Sequence, residues 1–230
     1  MQTPRRGELQ VLQNVVIDVD DDGTIISIGH RDGPVTHDLG EHSVLLPGLI
    51  DSHLHAPQWP QLGTGLDLPL EQWLLEHTFP LEKRLTEPEF AAQVWPQMVA
   101  TLLAHGTTTA VYFATIDVAT TTMLASTCAE LGQRAFVGRV AMDHTGGTPE
   151  WYRDADANVS IENSHLSIQE IQMLGNSLVK PVITPRFTPA CSNDALIGLG
   201  QLSIETGVRL QTHCSESDWQ HQYAIERFRT

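Results

Sequence analysis

Two histidines, His53 and His55, flank one leucine in the run Asp51-Ser-His-Leu-His55. On an extended strand, residues i and i+2 point to the same face, so both imidazoles could bind one metal ion. The spacing alone suits a solvated turn as well. A third histidine opens His213-Cys-Ser-Glu216, at the end of the expected strand Val208-Arg-Leu-Gln-Thr-His213. It can add a third nitrogen ligand, while Glu216, three residues on, can face the same cavity without binding the metal. Hydrolytic zinc sites divide the labour in this way: nitrogen ligands hold the ion that lowers the pKa of water, and a separate carboxylate moves protons. A core histidine beside a solvent-facing glutamate also fits these residues. Cys214 alternates with His213 and is expected to pack on the opposite face.

Thr184-Pro-Arg186-Phe187 offers a guanidinium and an aromatic ring that can hydrogen-bond to and stack on a planar heterocycle. An ordinary ion pair and a core phenylalanine fit them equally. Gln58, just past the histidine pair, carries an amide that both donates and accepts, as recognition of a base requires.

The elements that position these groups follow from periodicity. Short apolar runs flank Asp20-Asp-Asp-Gly23, a hairpin signal, and glycine and proline punctuate residues 29–43. Residues 1–43 therefore read as a small N-terminal β element. From Val44 onward, strands alternate with helices. The expected strands are 44–50, 107–113, 134–140, 181–185 and 208–213. A helix is expected from the capping-box spacing Thr86-Glu-Pro-Glu89 to His105-Gly106, with a kink at Pro96. Others run from Asp117 to Leu131, over about 168–178, and from Ser192 or Asn193 to Thr206. Such alternation implies a parallel sheet, either doubly wound or part of a (β/α)₈ barrel. No glycine-rich phosphate fingerprint follows any strand, which weakens a nucleotide-cofactor reading.

Composition narrows the partners. Thirteen Lys and Arg against 28 Asp and Glu leave a net charge of −15 with neutral histidines. Such a chain is repelled by nucleic-acid phosphates and anionic membranes. Three cysteines without C-x-x-C spacing argue against a disulfide framework and for a reducing, cytoplasmic location. No apolar stretch is long enough to span a bilayer.

Pro47-Gly-Leu-Ile-Asp-Ser-His53-Leu-His55 resembles the first-strand signature of the amidohydrolase superfamily of metal-dependent hydrolases. Further blocks sharpen the likeness toward its guanine deaminases: His55-Ala-Pro-Gln58, Gly65-Leu-Asp-Leu-Pro-Leu70, Thr78-Phe-Pro80, Gly106-Thr-Thr-Thr-Ala-Val-Tyr-Phe-Ala-Thr115, Thr184-Pro-Arg-Phe187 and His213-Cys-Ser-Glu216. The resemblance implies an α/β fold: a TIM-like barrel over 44–230, about five of eight strands, with residues 1–43 in a small β-sandwich. It implies one zinc ion on His53, His55 and His213. Gln58, Arg186 and Phe187 would hold a small purine, and Glu216 would shuttle protons. The implied reaction is hydrolysis of guanine to xanthine and ammonia, in a homodimer. Another deaminase or a chlorohydrolase of the superfamily is the alternative. The family's later histidine and metal-binding aspartate have no counterpart, so the sequence is expected to be a fragment or a truncated product, and a non-catalytic fragment is the remaining reading.

Overall fold

A computed structural model describes residues 1–228; Arg229 and Thr230, the end of the expected barrel segment, lie outside the described residues. The chain divides into two units, Met1–Gly48 and Leu49–Thr230. In the first, β1 (Gln2–Arg5) pairs antiparallel with β2 (Glu8–Gln10), and β3 (Val16–Val19) with β4 (Ile25–Gly29). The Asp-Gly signal makes the β3–β4 turn: Asp20 accepts from Thr24 N through its side chain at 2.8 Å, and from Gly23 N through its carbonyl at 3.1 Å. The apolar run from Leu9 to Ile17 is not one strand. Asn14 adopts a left-handed conformation, φ 52°, and separates β2 from β3.

The second unit places its strands beside one another in sequence order. β5 (Leu49–His55) is followed by α1 (Leu70–Trp73), a π turn (Leu74–Thr78), α2 (Phe79–Arg84) and α3 (Pro88–Ala104). Next come β6 (Thr107–Phe113), α4 (Val118–Leu131), β7 (Arg134–Gly138), β8 (Val140–Ala141), α5 (Ala157–Met173), β9 (Val179–Pro181), β10 (Thr184–Pro185), α6 (Asn193–Thr206) and α7 (Asp218–Phe228). β5, β6, β7 and β9 form one parallel sheet in that order, and β8 and β10 form a parallel pair that continues β7 and β9. Leu210 and His213 then make single parallel bridges to Ile183 and Phe187. A doubly wound sheet reverses its order at a switch point; here each strand pairs with the next. The fold is α/β, part of a TIM-like barrel.

Local chemistry sets the helix ends. Asp117 accepts from Thr120 N at 2.8 Å, Asp156 from Val159 N at 3.0 Å and Ser192 from Ala195 N at 3.0 Å, each capping a helix. Gly132 and Gly207 close α4 and α6 in left-handed conformations, φ 77° and 69°. Trp95, Met98, Tyr112, Leu124, Val137 and Ile171 form the core between helices and sheet. Tyr112 and Phe113 are neighbours on β6 and face opposite ways: Tyr112 joins this helical core, and Phe113 a second cluster with Leu74, Phe79, Val140, Met142, Tyr152 and Phe187.

Four expectations are corrected. The first barrel strand starts at Leu49, not Val44, and it is not buried: Leu49 and Ile50 are 60% and 71% exposed on an edge strand. The helix after it lacks the capping box; Glu87 precedes α3 without a side-chain cap, and the Thr86 hydroxyl donates instead to Lys83 O. α5 starts at Ala157, about ten residues early, because the inner face ahead of Ile168 is built of small residues, Ser160, Ser164 and Ser167, that carry no apolar periodicity. The fifth strand shrinks to two bridges.

Candidate metal centre

β5 presents His53 and His55 side by side at its carboxyl end, and the fifth chain segment brings His213 to meet them. The Nε2 atom of His213 lies 2.8 Å from His55 Nε2 and 3.2 Å from His53 Nε2. A potential ligand atom from each lies within 4.8 Å of the other two. Phe113, at the end of β6, forms the floor. Its ring stacks on His55 at 4.6 Å and lies 5.0 and 4.3 Å from the His53 and His213 rings.

The proton positions favour a cation. His213 Nδ1 sits 2.6 Å from the backbone oxygen of Arg186, which can only accept. Nδ1 therefore carries the proton, and the lone pair on Nε2 faces the other two imidazoles. Burial pushes the His213 pKa down to about 4, and burial with the nearby Arg186 charge holds His55 well below the usual histidine range. Imidazoles converging through Nε2 are the donor set that zinc and similar divalent ions take. A cation would take the place of these two nitrogen–nitrogen contacts by sharing the three Nε2 atoms.

The remaining predicted residues meet in the same cavity, of about 410 Å³, which Trp59 and Trp73 also line. Gln58 enters from the short 3₁₀ turn Ala56–Gln61 that follows β5, where Pro57 sits in the first turn. Arg186 is buried behind the histidines, its guanidinium held by both oxygens of Glu82 at 2.5 and 2.9 Å and lying 4.9 Å from the Phe79 ring. Phe187 is core and cavity wall together: buried, edge-on to Trp219 at 5.8 Å, and open to the cavity on one side. The Glu216 carboxylate makes no hydrogen bond among the described residues. Burial raises its pKa, and the Arg186 and His53 charges oppose that rise. Cys214 joins neither the histidine group nor the cavity lining, and it is exposed rather than packed.

Three contributors escaped the sequence reading. Phe113 looked like an ordinary strand end; its signal was the pairing register that sets it opposite His55. Glu82 lies 104 residues from Arg186, in a helical stretch, 70–84, that periodicity did not reveal. Gln220 is 2% exposed and clamps the loop that carries Glu216. Its Nε2 donates to His213 O at 3.2 Å, and its Oε1 accepts from Glu216 N at 2.5 Å. Between those contacts Ser215 is left-handed, φ 52°. Only a buried glutamine shortly after H-x-x-E could have hinted at this.

Known proteins share both sequence and architecture with the chain. A guanine deaminase of Dictyostelium discoideum is 37% identical over 92% of this chain and 51% of its own length. A probable guanine deaminase of Schizosaccharomyces pombe is 40% identical over 84% of this chain and 36% of its own length. The crystal structure of a guanine deaminase from C. acetobutylicum, with guanine bound in its active site, superposes with a TM-score of 0.86 at 28% identity, over 99% of this chain and 54% of that one. The chain thus spans about half the length of these relatives, or less. The amidohydrolase family matches residues 44–230, which hold all three histidines and the cavity around them, and the chain belongs to that family.

Proposed function

We propose that this chain carries the purine-holding and metal-holding part of a guanine deaminase, which hydrolyses guanine to xanthine and ammonia. The observation that carries the reading is the meeting of His53, His55 and His213 in one cavity with Gln58, Arg186, Phe187 and Glu216. The names of the similar proteins support the choice of guanine. A single zinc ion on the three histidines would supply the Lewis acidity that makes water a nucleophile at neutral pH.

This chain's residues account for the other tasks. Phe187 offers a ring face to the purine, and Gln58 can pair with both a donor and an acceptor on its edge. Arg186 keeps N–H groups beyond those that Glu82 occupies and presents them to a ring acceptor. Among the described residues the Glu216 carboxylate has no hydrogen-bond partner, and burial raises its pKa, which suits a group that must both accept and give a proton. It takes a proton from the attacking water and gives it to the ring nitrogen beside the reacting carbon, then takes the remaining hydroxyl proton and gives it to the amino nitrogen; the carbon–nitrogen bond breaks, ammonia leaves and a carbonyl remains. Phe113 and the Arg186 carbonyl hold the imidazoles in place.

The test is ammonia release from guanine, against a panel of other purines, pyrimidines and triazines, by the zinc-supplemented chain. Release confined to guanine and lost in Glu216→Gln supports the proposal. Release from a triazine in preference to guanine replaces it with the chlorohydrolase-type reading.

A further inference from the structure

Among the described residues that line the cavity, Arg186 is the one Lys or Arg side chain. Its charge is not free. Both oxygens of Glu82 bind the guanidinium, at 2.5 and 2.9 Å, and the two side chains are 2% and 1% exposed. Phe79 covers the guanidinium from one side at 4.9 Å. Glu82 itself does not line the cavity; it stands behind Arg186, on α2. A bidentate pair at this burial is screened little by salt, so its two charges cancel over the cavity. Facing the same space, Glu216 adds a carboxylate.

The geometry points to Glu82 as a specificity-determining residue: by cancelling the Arg186 charge it makes the cavity select neutral planar heterocycles and reject anionic ones. Arg186 then acts as a fixed set of N–H donors, not as an anion receptor. This inference rests on the purine reading above and deepens it, because it specifies the charge state of the purine accepted. A lone buried arginine would do the opposite, since guanidinium groups are the preferred partners of carboxylates and phosphates.

The test compares hypoxanthine, a neutral oxopurine without an amino group to lose, with urate, a purine monoanion at neutral pH. Isothermal titration of the full chain is expected to show hypoxanthine bound more tightly than urate. Glu82→Gln keeps the shape and removes one negative charge, and it should shift the hypoxanthine-to-urate affinity ratio about tenfold or more toward urate. Adding Arg186→Gln to that variant should return the ratio toward the wild-type value. A ratio unchanged in a Glu82→Gln protein with wild-type near-ultraviolet circular dichroism overturns the inference. So does a wild-type chain that binds urate as tightly as hypoxanthine, which needs no variant to fold. If wild type binds neither purine, the purine reading fails; urate capture gained in Glu82→Gln would then still support the role of Glu82, and no capture would sink both.

Discussion

Replacing Gln220 with alanine should loosen Glu216 without touching the surfaces that would hold a purine. The amide makes two hydrogen bonds, to His213 O and from Glu216 N, each with a net worth of about 1 kcal/mol. Their joint loss is about 2 kcal/mol. For a unit of this size about 1 kcal/mol moves the melting temperature by roughly 2–4 °C, so the fall should be roughly 4–8 °C. The functional effect should be larger. Ser215 is held left-handed, a conformation that costs an L-residue on the order of 1–2 kcal/mol. Freed of its clamp, the turn relaxes and carries the Glu216 carboxylate with it. A displacement of about 1 Å at a reacting group can cost on the order of 100-fold in rate. Gln58, Arg186 and Phe187 are untouched, so hypoxanthine affinity should stay near the wild-type value. Calorimetric melting, ammonia release and purine titration on one preparation separate these effects. Gln220→Glu retains the acceptor for Glu216 N and should fall between wild type and alanine. A Gln220→Ala protein that melts within about 1 °C of wild type and keeps its rate would refute the clamp.

Other consequences can be checked independently. Glu82→Ala strands a buried guanidinium and should destabilise the fold by about 3–5 kcal/mol, whereas Glu82→Leu with Arg186→Leu should recover most of that loss in urea titrations. Trp95→Ala, which removes a fully buried ring and its bond to Thr120 O at 3.0 Å, should cost about 3–5 kcal/mol by the same method. Alkylation followed by mass spectrometry should modify Cys214 in the native protein and spare Cys128 and Cys191, whose thiols burial pushes up to about 12, until the chain is unfolded. His213 is depressed to about 4 from 6.5, so folding favours its neutral form. Its contribution is complete above about pH 6.5 and is lost as the pH falls toward 4. In metal-free protein, the drop in urea midpoint between pH 7 and 5 should be smaller in His213→Gln.

What could be read from the sequence was mostly local. Asp117, Ser192, Gly132 and Gly207 announce helix ends because their signals act within one turn. His53 and His55 announce a shared face because strand geometry fixes i and i+2. The resemblance placed His213, Gln58, Arg186, Phe187 and Glu216 together, and the structure gathers them around one cavity. What was hidden depends on long-range pairing or on residues with weak propensity. Glu82 reaches Arg186 across 104 positions, and its helix is broken into α1, a π turn and α2, which blurs the apolar period. The serine face of α5 is buried through small side chains rather than apolar ones. Val208–His213 has the composition of a strand but pairs through two bridges, so β propensity there overstated the ladder.

The claim on which the account rests is that His53, His55 and His213 hold a single divalent ion. Titration of the metal-free chain with cobalt(II), followed by its visible absorption, tests this most directly. The prediction is saturation at one equivalent, displacement by zinc, and loss of the tight site in His53→Ala, His55→Ala and His213→Ala alike. A chain that takes up no cobalt, or one whose uptake survives all three substitutions, would contradict the claim.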